Sequence, residues 1–216
     1  MVIFVRHGAT PTTGKVLPGR ARGLHLSEEG VAQAERTAAA LAAACKVTSA
    51  KGRPKPPHIT AVYCSPMERA RETAAPIGRA LGLTVIVERG LVECDFGEWT
   101  GRDLASLTRM AEWNQVQEDP SGFRFPGGES FAGMQARVLD TVATLRARHP
   151  GEIVVAVSHA DPIKVALADA LGAHLRSMQK LWVSTSSISV VSYTPTGPTV
   201  LAVNALGDLH ALGNPR

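Results

Sequence analysis

The segment EIVVAVS, residues 152–158, limits the choice of fold more than any other. From Ile153 to Val157 every residue is apolar, so a strand there has no polar face to give to water. Such strands are buried on both sides, as in parallel sheets whose connecting helices cover both faces. MVIFV (1–5), ITAVYC (59–64) and TVIVE (84–88) are further short β-rich runs. Helical patterns alternate with them. SEEGVAQAERTAAALAAAC (27–45) has Ser27 as a candidate N-cap and acids in its first turn. PMERARETAAPIGRALG (66–82) has Pro66 suited to its first turn. SFAGMQARVLDTVATLRARH (130–149) is long and amphipathic, and PIKVALADALG (162–172) is closed by Gly172. SISVVSY (187–193) and TVLAVNA (199–205) flank the turn-rich TPTGP, which predicts an antiparallel pair. The expected fold is α/β: a three-layer α/β/α sandwich, its sheet mostly parallel with an antiparallel C-terminal part.

The 216 residues fit one domain over 1–216. Residues 89–130 are irregular and read as an insertion over one end of the sheet, above any active site there. KVTSAKGRPKPP (46–57) carries three prolines and four cations and reads as an exposed, solvated loop rather than a lid. In open parallel sheets, ligands bind at the carboxyl ends of the strands. Those ends carry Arg6-His7-Gly8, CSPMERAR, RGLVECDFGEW and SHADP in turn. Four strand ends thus supply two histidines, several arginines and an acid to one rim.

Composition bounds the chemistry. A net charge of +4 suits a small anionic substrate. Nucleic acid is not expected, because the 23 Lys and Arg are scattered and aromatics make up only 5%. No apolar run approaches the ~20 residues of a membrane span, and the N-terminus does not read as a signal peptide. Cys45, Cys64 and Cys94 form no CxxC pair, so neither a disulfide framework nor a zinc site is expected. These features predict a cytoplasmic protein with reduced thiols.

His7 and His159 share one structural address, each just after an apolar strand, so neighbouring strands would set the two imidazoles face to face. Two histidines could bind a metal, but such sites usually recruit carboxylates and lack arginine neighbours. Here Arg6, Arg69 and Arg71 are the neighbours, and guanidinium groups fit phosphoryl oxygens instead. No metal and no cofactor are therefore expected. SHADP places Pro162 at a first helical position with Asp161 as a candidate N-cap, and the helix start would favour an anion.

VRHGAT, YCSPMERARETA, LVECDFGEWTG, FPGGES and VSHADPIK, in that order, resemble the histidine phosphatase superfamily, also called phosphoglycerate mutase-like. LPGRARGLHLSEEG together with FPGGES resembles most a bacterial branch of phosphomutases and phosphatases. The resemblance implies that His7 is the nucleophile that becomes phosphohistidine. It implies that Arg6 and Arg69 clamp the phosphate, with Arg71 on the outer helix face. His159 is the second pocket histidine, and Glu93 the acid that protonates the leaving oxygen. Ala160 and Thr13 fall among the substrate-binding positions. Thr13 departs from the pattern, because many members have Asn there, and Thr10 is a second candidate for that contact.

The chemistry fits these roles. His7 must attack through a neutral nitrogen, so an acceptor such as a backbone carbonyl should hold its other N–H. Glu93 needs a pKa raised toward neutrality, which a partly apolar setting near Phe96 and Trp99 would supply. Other residues keep plainer readings. Cys94 reads as structural rather than reactive. Trp99 suits pocket or core, and Arg20 and Arg22 suit substrate contact or solvent. Met110, Trp113 and Phe131 read as packing, and His25, His58, His149, His174 and His210 have no evident partners. Glu98 and Glu129 are the reserve acids.

The expected activity is hydrolysis of a small phosphorylated metabolite through phosphohistidine. One alternative is a phosphoglycerate mutase-type phosphomutase. Another, of a different class, is a non-catalytic module that binds a phosphate ligand; the complete set Arg6, His7, Arg69, Glu93 and His159 speaks against it. Physiological substrate and oligomeric state stay open, a homo-oligomer included.

Overall fold

The computed structural model describes residues 1–46 and 58–206. Of the basic loop expected at 46–57 only Lys46 is among the described residues; the rest of it, and His210, lie outside them. Six strands form one sheet: β1 (Val2–Arg6), β2 (Ile59–Cys64), β3 (Val85–Val87), β4 (Ile153–Ser158), β5 (Ile188–Thr194) and β6 (Gly197–Ala205). Their order is β3-β2-β4-β1-β5-β6. The first four run parallel, β5 runs antiparallel to β1, and β6 antiparallel to β5. The helices are α1 (Glu28–Lys46), α2 (Glu68–Leu81), α3 (Leu104–Leu107), α4 (Ala111–Glu118), α5 (Phe131–Arg148) and α6 (Ala160–Ala170).

Two-residue alternation within apolar strands builds both faces at once. In β1, Ile3 and Val5 join Val155 and Val157 under α1 and α2, against Ala38, Leu41, Ala74 and Ile77. Val2 and Phe4 join Val154 and Ala156 on the other face, against Val138, Val142 and Leu145 of α5 and Ile163 of α6. One strand thus feeds two separate cores, and the three-layer α/β/α sandwich follows.

The segment between β3 and α5 is less irregular than its composition suggests. It folds α3, α4 and three short 3₁₀ turns, and it sends Leu91, Phe96, Trp99, Leu107, Val116, Phe123 and Phe125 into the second core. Trp99 is thereby a core residue, stacked on Trp113 and edge-on to Phe125.

Helix starts differ in two places. α2 begins at Glu68, so Pro66 precedes the helix instead of opening it. The N-cap of α6 is His159, not Asp161, and Pro162 is the third helical residue. The His159 carbonyl already accepts from the Ile163 amide at 3.2 Å. First-turn amides need no intrahelical partner, so a proline is tolerated there. Lys46, expected in the loop, ends α1. Ser27 caps α1 as expected, its Oγ accepting from the Gly30 amide at 3.1 Å.

Candidate active site

Strand register sets the site. Arg6, last in β1, pairs with Ser158, last in β4, so the next residues, His7 and His159, emerge side by side. Their rings lie edge to face, with centroids 5.1 Å apart. Cys64, last in β2, pairs with Val157, which brings Ser65 to the same end.

His7 is held in one tautomer. Its Nδ1–H donates to the Gly8 carbonyl at 2.7 Å, and its Nε2 accepts from Arg69 Nε at 3.3 Å. The lone pair is therefore on Nε2. Burial, with Arg69 and Arg6 nearby, drives the His7 pKa well below the ordinary histidine range, so the ring stays neutral. Gly8 is required by space: a Cβ there would sit 2.4 Å from the Gly30 carbonyl oxygen at the start of α1.

Arg69 has no solvent exposure. One terminal nitrogen, Nη2, donates to the Gly19 carbonyl at 2.7 Å. Arg6 Nη1 donates to the Val183 carbonyl at 2.7 Å. His159 is also fully buried, with Nε2 2.7 Å from Ser65 Oγ. Ser65 Oγ also accepts from the Met67 amide at 3.3 Å. Three buried nitrogens, Arg6 Nε, Arg69 Nη1 and His159 Nδ1, then have no partner among the described residues. Buried unsatisfied polar groups cost about 1–3 kcal/mol each, and two of these three are guanidinium donors, so the cluster points to an anion-binding pocket.

Glu93 follows β3 and completes the cluster. Its carboxyl is buried, and its pKa is pushed up to about 7. Burial is the main cause and the Asp161 carboxylate the second; the Cys94 amide, Arg69 and Arg6 oppose them. The Cys94 amide donates to Glu93 Oε1 at 2.9 Å. A carboxyl near neutrality can give a proton and take one back at physiological pH.

Thr13 Oγ1 accepts from the Thr10 amide at 2.8 Å and lies 3.1 Å from Thr10 Oγ1. Thr10 is the buried member of the pair and Thr13 the exposed one. Ala160 is the first residue of α6, where the amides of the first turn lack helical acceptors. Arg71 is exposed on the outer side of α2. Arg22 is exposed, while Arg20 bonds the Glu93 carbonyl at 2.8 Å and Glu129 at 2.9 Å. Cys94 is buried and its thiol pKa strongly raised by burial, which suits a structural role. His149 does have partners, Tyr63 and Glu152, and His25 pairs with Glu72. The sequence reading missed Ser65, although its place in CSPMERAR, one residue past β2, marked it as a rim residue.

A family model, histidine phosphatase superfamily (branch 1), matches residues 2–206. Phosphoserine phosphatase 1 of Hydrogenobacter thermophilus is 29% identical over 217 aligned positions, covering 97% of this chain and 95% of that protein. The bifunctional protein Rv2228c of Mycobacterium tuberculosis is 36% identical over 153 residues, or 70% of this chain and 42% of that protein. The chain thus spans less than half the length of these mycobacterial relatives. A probable phosphoglycerate mutase of Klebsiella pneumoniae is 30% identical over 162 residues, covering 73% of this chain and 75% of that protein. Among solved structures, mycobacterial glucosyl-3-phosphoglycerate phosphatase Rv2419c superposes with a TM-score of 0.80 at 25% identity, covering 94% of this chain and 98% of that one.

Proposed function

Because this chain belongs to the histidine phosphatase superfamily, we propose that it hydrolyses small phosphate monoesters through a phosphohistidine on His7. The observation that carries this reading is the set of three unpartnered buried nitrogens, two of them guanidinium donors, around a neutral imidazole whose lone pair is on Nε2. His7 Nε2 attacks phosphorus while the bond to the leaving oxygen breaks. Arg6, Arg69 and His159 take the charge on the transferring oxygens, where most of the catalysis of phosphoryl transfer lies. The protonated Glu93 carboxyl gives its proton to the departing alkoxide. A water then attacks the phosphohistidine, Glu93 takes a proton from it, and inorganic phosphate leaves with His7 neutral again.

Phosphoserine phosphatase 1, similar over nearly the whole chain, supports hydrolysis. The mutase relative supports the second reading, in which the phosphoryl group returns to substrate. Thr12 and Thr13 stand where the phosphoglycerate mutases usually carry aromatic and Asn residues, which favours a pocket open to water. The substrate is a small phosphorylated metabolite whose remaining groups meet the 10–25 and 89–130 segments. Three free thiols, Cys45, Cys64 and Cys94, support a reducing, cytoplasmic setting, and no described helix is long and apolar enough to cross a membrane.

The test is a panel of phosphorylated metabolites assayed for phosphate release. Steady release on at least one, with little interconversion of 2- and 3-phosphoglycerate even with added 2,3-bisphosphoglycerate, is expected. Rapid interconversion with negligible release would reverse the assignment to a mutase.

A further inference from the structure

The loop that carries Glu93 is anchored in an unusual way. Four consecutive peptide carbonyls, Gly90 to Glu93, each accept from a side chain of another segment. Arg137 Nη1, from α5, donates to Gly90 at 2.7 Å and Val92 at 3.0 Å. Ser158 Oγ, at the end of β4, donates to Leu91 at 2.7 Å. Arg20 Nε donates to Glu93 at 2.8 Å.

Both arginines meet on one carboxylate. Glu129 Oε1 accepts from Arg137 Nε at 3.0 Å. Its Oε2 accepts from Arg137 Nη2 at 2.9 Å, from Arg20 Nη2 at 2.9 Å and from the Asp95 amide at 3.3 Å. The Glu129 amide in turn donates to the Asp95 carbonyl at 2.8 Å. This contact needs glycines: a Cβ at Gly128 would lie 2.4 Å from the Asp95 carbonyl oxygen, and one at Gly97 would lie 2.1 Å from that of Pro126. CDFGEW and FPGGES are thus two backbones pressed together, with Glu129 at the seam. The segment that carries Arg20 also reaches the phosphate clamp, because Gly19 accepts from Arg69 at 2.7 Å.

We propose that Glu129 is a positioning residue for Glu93: through Arg20 and Arg137 it fixes the backbone from which the proton donor reaches the leaving oxygen. This rests on the reading of Glu93 as that donor. A bidentate Arg–carboxylate pair fixes geometry as well as charge, so it suits a frame more than a proton donor. Proton transfer depends on placement to within hydrogen-bond reach, and Glu129 itself bonds Arg20, Arg137 and the Asp95 backbone but none of Arg6, Arg69 and His159.

The test compares Glu129→Gln, Glu93→Gln and the double variant on β-glycerophosphate, whose alkoxide needs a proton, and on p-nitrophenyl phosphate, whose leaving group does not. For Glu129→Gln we expect kcat on β-glycerophosphate to fall at least tenfold, within the ~10²–10⁴ that general-acid help supplies. Its KM and the p-nitrophenyl phosphate rate should stay within about threefold. The double variant should be no slower than Glu93→Gln, because both act through one proton transfer. Should Glu129→Gln fail to fold, Arg20→Ala decides: that half-exposed side chain leaves the Arg137–Glu129 pair intact and should show the same selective loss. Equal losses on both substrates, with Glu93→Gln still selective, would make Glu129 merely structural and overturn the inference. A Glu93→Gln variant with no selectivity would overturn the acid assignment itself, and the inference with it.

Discussion

At the scale of single residues, the site works by separating protonation states. His7 and His159 are driven well below the ordinary histidine pKa by burial and the two arginines, while Glu93 is pushed up to about 7. His7, the proposed nucleophile, is then neutral, and Glu93, the proposed donor, protonated over one shared interval. For β-glycerophosphate, kcat/KM should fall as pH rises above about 7, where Glu93 loses its proton. With p-nitrophenyl phosphate that basic limb should be weak or absent, and pH–rate profiles on the two substrates check this. The same shift acts on stability. Folded Glu93 keeps its proton between its ordinary 4.5 and about 7, whereas the unfolded chain has lost it. Its contribution therefore declines as pH rises through that window. The buried histidines have the opposite sign, losing stability as pH falls. Glu93→Gln should remove only the first effect. Relative to wild type, it should gain thermal stability from pH 5 to pH 8 while losing activity on alkyl phosphates. His7→Ala should abolish both turnover and covalent labelling by a phosphodonor, whereas His159→Ala should be strongly impaired yet still label slowly. Near-native turnover by His7→Ala would remove the mechanism altogether.

At the scale of elements, the site depends on the close approach of β1's end to the start of α1. Gly8 and Gly30 touch there, and Ser27 Oγ and its amide both reach the Ala9 carbonyl. Gly8→Ala puts a methyl against backbone that cannot swing aside. Overpacking of this kind costs about 1–3 kcal/mol, and each kcal/mol shifts Tm by roughly 2–4 °C in a chain of this size. Thermal melts should therefore drop by several degrees, and kcat should fall as well, because the carbonyl of Gly8 fixes the His7 tautomer. A Gly122→Ala variant is the control: its φ is not in the left-handed region, and the nearest atom to a Cβ there is the Gln115 side-chain nitrogen at 3.8 Å. A Gly8→Ala protein with unchanged Tm and kcat would show that the α1 contact does not hold His7 in place.

At the scale of the whole molecule, positive charge in the pocket comes from guanidinium groups fixed by two separate segments: Gly19 for Arg69 and Val183 for Arg6. Chelators should accordingly leave phosphate release unchanged. Vanadate should inhibit it, because its trigonal-bipyramidal form matches in-line transfer. Loss of activity in EDTA with rescue by a divalent ion would contradict this. The sequence by itself determined the layers, because apolar strands such as IVVAV have no polar face and must be covered on both sides. It also determined which residues reach the rim, since they directly follow those strands. It did not determine strand order. Only the β4–β1 pairing makes His7 and His159 neighbours, and nothing local to either strand encodes it. Helix starts also escaped it: α6 begins two residues before its proline because first-turn amides place no demand on sequence. Least legible were Ser65 and Glu129. A serine and a surface-type acid look unremarkable in one dimension. What each does is set by the partner that tertiary packing brings to it, His159 in one case and two arginines from distant segments in the other.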